Sequence, residues 1–200
     1  MATKTRQRNQ QNSTAATSNG NGRSAGVLAA AALAGAAIGF AANIGRKFVI
    51  QGMTASDDWA ETLAMEHQVV LELFDRIEAT SSHQTNQRKL LFGKVKHALG
   101  KHALEEENVI YPALRDANLA HDADTLNTEH GYVKTFLYEL ENMPADDARW
   151  LAKVKEFRAM LETHMKMEEE EVFPSLRETL TDEQNAKLAQ AMNREGMKLV

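Results

Sequence analysis

The feature that most limits how this chain folds is a set of six ionisable residues placed on otherwise apolar helical stripes, in two matching copies. From residue 56 onward the apolar residues recur at steps of three and four, the period of one face of a helix. Trp59, Leu63, His67, Val70, Phe74 and Ile77 form the first stripe. Leu91, Val95, Ala98, His102, Glu106, Val109 and Ala113 form the second. Leu126, His130, Val133, Leu137 and Leu140 form the third, and Val154, Phe157, Leu161, His164, Glu168 and Val172 the fourth. Turn-forming residues fill the breaks at 80–86, 118–122 and 142–147. Short connections between long helices predict an all-α, antiparallel up-down four-helix bundle. Thr181-x-x-Gln184 resembles a capping box and predicts a short extra C-terminal helix that lacks His and packs outside the bundle.

The four helices fall into two similar hairpins. Glu66-His67 recurs as Glu129-His130, an offset of 63, and His102-x-x-x-Glu106 recurs as His164-x-x-x-Glu168, an offset of 62. Pro112 and Pro174 share the offset of 62. Two hairpins of one design would pack about a pseudo-twofold axis and bring their polar residues face to face.

A buried carboxylate costs several kcal/mol unless it is paired or bound to a cation. Two carboxylates and four imidazoles in one core therefore call for bound cations. Residues four apart lie one turn apart on one face, so His102 with Glu106, and His164 with Glu168, can each chelate. Cysteine is absent, so the donors are nitrogen and oxygen alone, a set that suits Fe, Mn or Zn. The expected arrangement has Glu106 and Glu168 bridging two metals and His67, His102, His130 and His164 as terminal ligands. An oxo or hydroxo bridge and one open position complete it. His83 and His121 fall in predicted loops, and His97 lies about 140° around its helix from His102, so these three read as surface residues. Glu105, Glu107 and Glu169 to Glu171 read as mostly solvated faces, with Glu169 an alternative ligand to Glu168. Met143, Met160, Met165 and Met167 read as packing and surface residues. Tyr111 and Phe173 are expected at the bundle end, before prolines that bend or stop their helices.

The N-terminal part is a different object. Residues 1–55 carry six Lys/Arg and no acid, which leaves 17 positive charges against all 28 acids from residue 56 onward, a balance of −11. An acidic main domain argues against nucleic acid as a partner. Residues 1–24 are rich in Gln, Asn, Ser, Thr and Gly and read as a disordered polar tail. Residues 25–45 are an Ala/Gly-rich apolar segment, with Gly35-x-x-x-Gly39 at its centre. Two readings of it stand side by side: a membrane anchor of marginal insertion energy, or a flexible linker. The lack of cysteine suits a reducing compartment, so the expectation is a cytoplasmic domain with residues 25–45 as its candidate anchor.

The order His67, His102-x-x-x-Glu106, His130, His164-x-x-x-Glu168, with Tyr111-Pro112 and Phe173-Pro174 following, resembles the hemerythrin-like, HHE cation-binding domain. The resemblance covers residues 57–179, within a domain bounded at 56–179 and followed by a C-terminal helix at 180–200. It implies a carboxylate-bridged, non-haem di-iron centre. It also implies roles in binding or sensing O2 or NO, in iron handling, or, as an alternative, in a di-iron peroxidase or reductase acting on peroxide or NO. Oxygen-carrying hemerythrins have a second histidine one turn after the first on the third helix, where this chain has Lys134, which cannot ligate while charged. They place an aspartate five residues after the last histidine, where this chain has Glu169. The resemblance thus implies a second iron that is less saturated than in an oxygen carrier.

Overall fold

The computed structural model describes residues 58–199. The expected polar tail (1–24) and apolar segment (25–45) lie outside the described residues, as does the start of the domain at 56.

The described chain is helical throughout, with no strand. Helix α1 spans Trp59–Glu78 and α2 spans Thr85–Glu105. Helix α3 spans Tyr111–Asp116, α4 Ala120–Asn142 and α5 Trp150–Met167. Helix α6 spans Phe173–Thr179, α7 Asp182–Gly196, and a 3-10 turn runs Met197–Leu199. The helices pair as α1 with α2, α1 with α5, and α4 with α5. No helix among the described residues is long and apolar enough to cross a membrane.

Local chemistry sets the ends. The Asp58 carboxylate accepts from the Ala60 and Glu61 amides at 3.0 and 3.3 Å, satisfying N–H groups that the first turn of α1 leaves free. Asn118 closes α3 with φ 64°, a left-handed conformation that asparagine tolerates better than most residues. The Thr181–Gln184 capping box forms and starts α7. Helix α7 then lies across α1 and α2, where Ala189, Met192 and Gly196 are buried and Asn185 Oδ1 accepts from the Trp59 indole at 2.9 Å.

Two apolar clusters hold the frame. One is built around Phe74, Leu91, Val95, Trp150, Val154 and Phe157, the other around Trp59, Leu63, Ile110, Leu114, Leu126 and Phe173. The buried imidazoles and carboxylates occupy neither cluster. Arg88 is buried beside the first. It donates to Thr80 Oγ1 at 2.9 Å and to the Ala145 carbonyl at 2.7 Å, and its guanidinium lies 5.4 Å over the Trp150 ring. One cation thereby ties the α1–α2 and α4–α5 connections together, and the planar fork of arginine suits that task.

The stripes hold along α1 at all six positions. The second stripe departs after Glu106. A π turn, Glu106–Ile110, follows α2, and a second, Glu168–Val172, follows α5. Each inserts a wider turn, and after the first the buried face moves on by one residue. Ile110 and Leu114 are fully buried where the simple helical period expected Val109 and Ala113. Each π turn closes with the amide of the residue before a proline, Tyr111 to the Glu106 carbonyl and Phe173 to the Glu168 carbonyl. Pro112 and Pro174 then sit in the first turn of the next helix, where a missing N–H costs nothing. Neither proline stops its helix as the sequence allowed: the helical path continues through both.

Candidate metal centre

Each π turn begins at a fully buried glutamate, Glu106 or Glu168, one turn after a buried histidine, His102 or His164. Helices α1 and α4 supply the other two histidines, His67 and His130, both buried. The structure gathers all six sequence-derived candidates into two overlapping groups. His67, His102, Glu106 and Glu168 form one, and Glu106, His130, His164 and Glu168 the other, with the donor atoms of each group within 4.8 Å of one another. The two glutamates belong to both groups.

The ring nitrogens turn inward. His102 Nε2 and His130 Nε2 each lie 3.2 Å from Glu106 Oε2, and His67 Nε2 lies 3.3 Å from Glu168 Oε2. His164 Nε2 lies 3.4 Å from Glu168 Oε1. His67 Nε2 and His102 Nε2 face each other at 3.0 Å, two nitrogens turned to a common point.

The outward nitrogens meet a second ring of carboxylates. Nδ1 of His67 pairs with Glu169 at 2.7 Å, of His102 with Glu66 at 3.0 Å, of His130 with Glu107 at 2.9 Å and of His164 with Glu129 at 2.7 Å. A carboxylate on Nδ1 fixes the tautomer that leaves Nε2 free to ligate and raises its donor strength. The stripe reading missed these four glutamates as partners of the imidazoles. Two corrections follow. Glu107 and Glu169 are not solvated faces but half-buried partners of His130 and His67, and Glu169 stands outside His67 while Glu168 occupies the centre. Glu105 is also no solvated face: it is 1% exposed, and its Oε1 accepts from Lys101, which pairs with Glu66 as well. Glu170 and Glu171 are exposed, as are His83, His97 and His121. Lys134 points away from the centre, 62% exposed, and donates to Glu107 at 2.7 Å.

Tyr111 adds an oxygen. Its hydroxyl lies 2.9 Å from His130 Nε2 and 3.5 Å from Glu106 Oε2. Phe173, its counterpart in the repeat, stacks on His67 with centroids 6.3 Å apart.

Burial pushes Glu168 up to about 8, and the neighbouring Glu106 carboxylate pushes it the same way. Burial also acts to raise Glu106, but the His102 and His130 imidazoles outweigh it and hold Glu106 well below the usual carboxylate range. His102 is likewise opposed by burial yet raised well above its ordinary value by Glu106 and Glu66. Burial lowers His67. Two carboxylates this close cannot both stay charged unless a cation replaces the proton that Glu168 keeps.

Unpartnered atoms test the fit. Among the described residues, five buried side-chain atoms lack a hydrogen-bond partner: Glu106 Oε1, both Glu168 oxygens, His164 Nε2 and Glu105 Oε2. Four of the five belong to the two donor groups. Buried polar atoms are almost always satisfied, so orphans concentrated at one point fit absent ligand bonds. The donor chemistry, imidazole and carboxylate without sulfur, fits a first-row transition metal such as iron.

An all-helical frame that aims four imidazoles and two shared carboxylates at one buried point defines a cation-binding helical domain. The chain belongs to the hemerythrin HHE cation binding domain family, whose sequence profile matches residues 59–176. A solved hemerythrin HHE cation binding domain-containing protein from Mycobacterium kansasii, a homologue of Rv2633c, is similar in structure at 25% identity, with a TM-score of 0.63 over 71% of this chain and 86% of that one. Among curated proteins, a DNA nickase of Nostoc sp. is 27% identical over 142 residues, 70% of this chain and 40% of that protein. An uncharacterized hemerythrin-like protein of Schizosaccharomyces pombe is 23% identical over 139 residues, 68% of this chain and 67% of that protein. The chain thus spans about two fifths of the Nostoc relative.

Proposed function

We propose that this chain holds a non-haem di-iron centre of hemerythrin type that binds or senses a diatomic ligand, O2 or NO. The frame is read as an antiparallel four-helix bundle, with α7 as an outer cover. Its three connections, 79–84, 117–119 and 143–149, are too short for parallel neighbours. Glu106 and Glu168 would bridge the two irons, and His67, His102, His130 and His164 would each hold one side. The irons would supply reversible one-electron chemistry toward a small ligand. The protein's own part is to orient the imidazoles through the four outer glutamates, to balance the charge, and to keep water out.

The observation that carries the reading is an enclosed cavity of about 10 Å³ lined by all four histidines together with Leu99, Ala103, Val133, Leu161 and Met165. A space that small is at the lower limit for one water-sized molecule, and the five apolar residues among its nine lining residues support a small, weakly polar ligand beside the histidines. Larger open grooves elsewhere, such as that lined by Tyr138, Met143, Arg149 and Lys153, lie away from the histidines.

A second reading, a di-iron peroxidase or reductase, is favoured by the Tyr111 hydroxyl at His130. It is a buried O–H donor beside the six candidate ligands. Exposing the reduced, iron-loaded chain in turn to O2, NO and H2O2 under an optical spectrometer separates the two. Reversible adducts with O2 or NO are expected. Sustained catalytic consumption of peroxide without an adduct would replace the binding reading with the enzyme. The nickase activity belongs to a relative of which the match reaches two fifths. The acidic balance of residues 56–200 supports no nucleic-acid partner for this domain.

A further inference from the structure

The wall of the small cavity is chemically uneven. Besides the four imidazoles, its lining side chains are hydrocarbon except for one, the thioether of Met165. The repeat shows how it arose. Met165 follows His164 as Ala103 follows His102, at the same offset of 62, and both line the cavity. One hairpin thus offers an inert methyl group at this position and the other an oxidisable sulfur.

We propose that Met165 is a modification site built into the centre: peroxide that enters the iron-loaded cavity transfers one oxygen atom to the Met165 sulfur. The inference rests on the metal reading above. In the transfer a sulfur lone pair attacks one peroxide oxygen, the S–O bond forms and the O–O bond breaks. The departing oxygen takes up the proton left on the first and leaves as water. Methionine is oxidised by two electrons to the sulfoxide and hydrogen peroxide is reduced, so no further reactant is needed.

Burial makes the site selective. Met165 is 4% exposed, so oxidant in bulk water meets it far less often than it meets Met197, which is 65% exposed. Met192 is 0% exposed, packs in the other apolar cluster and is not among the residues that line the cavity. Susceptibility of thioethers ordinarily follows exposure, which ranks Met197 first among the described methionines and puts Met165 with Met192. A centre that draws peroxide into the cavity reverses that order for Met165 alone.

The test treats the full chain, iron-loaded and metal-free, with a few equivalents of H2O2, and reads sulfoxide at each methionine by peptide mass spectrometry. Iron content is measured on the same samples. The expected result is Met165 oxidised ahead of Met197 in the loaded chain, at a level severalfold above the metal-free chain, with Met192 intact in both. A chain with its full iron in which Met197 is oxidised and Met165 is not would overturn this proposal and leave the metal reading standing. A folded chain that takes up no iron would overturn both.

Discussion

The two hairpins, α1 with α2 and α4 with α5, present the same inward groups and different surroundings. Each gives two histidines, a shared glutamate at the head of a π turn, and an outer glutamate on every imidazole. Around that common set the hairpins diverge. Where the first has a half-buried Lys101 and a buried Glu105, set against Glu66 and α7, the second has Thr163 and Met167. Where the second hairpin's His130 meets the Tyr111 hydroxyl, the first hairpin's His67 meets the Phe173 ring. The inward set comes in two copies that meet at one shared point. The periphery is free to differ: the first half gains the Lys101–Glu105–Glu66 cluster under α7, and the second gains the Tyr111 hydroxyl.

The largest expected effect comes from breaking what is shared. In the metal-free chain Glu168 is held neutral, with its value raised from 4.5 to about 8 by burial and by Glu106. A raised folded value means the stabilisation from the bound proton is full below the unfolded value and is lost as pH rises through the folded one. The cost is on the order of 5 kcal/mol by pH 8. Glu168→Gln should remove that loss, giving a metal-free chain more stable than the native one at pH 8 in chemical denaturation, while abolishing metal binding by elemental analysis. Equal pH dependence in both chains would show that Glu168 does not carry the charge conflict.

The next effect sharpens the difference at the periphery. A Cβ at Gly196 would fall 1.9 Å from Glu105 Oε1 and 3.0 Å from Lys101 Cε, whereas one at Gly131 on α4 meets nothing within 4 Å. Gly196→Ala should cost about 1–3 kcal/mol by overpacking the buried Lys101–Glu105 cluster. Gly131→Ala should gain roughly 0.5–1 kcal/mol by limiting the unfolded chain. Denaturation midpoints moving the same way in both would contradict the one-sided cover. The smallest effect is Tyr111→Phe, which makes the second hairpin resemble the first. It should lose about 0.5–1.5 kcal/mol with the hydrogen bond to His130 and keep its metal. Loss of metal would mean the hydroxyl itself holds the cation.

Much of this was legible in the sequence, and the limits have physical causes. Every inward residue lay on an α-helical stripe, because His and Glu on an apolar face announce themselves by their cost. The stripe failed after Glu106, where a π turn widens the period and no residue type declares it in advance. The outer glutamates left a fainter signal. Glu66 and Glu129 were visible as the residues before His67 and His130. Glu107 and Glu169 follow the two central glutamates at the offset of 62, which a symmetry search would have caught and a burial pattern does not. The burial of Glu105 was not legible, because it is imposed by Gly196 some ninety residues later in the chain.

The central claim is that four histidines and two shared glutamates form one two-metal site. Elemental analysis of the full chain purified with iron tests it most directly. The account predicts about two irons per chain, falling below one in both His102→Ala and His164→Ala and unchanged in His83→Ala. A fully folded native chain that binds no metal would contradict it.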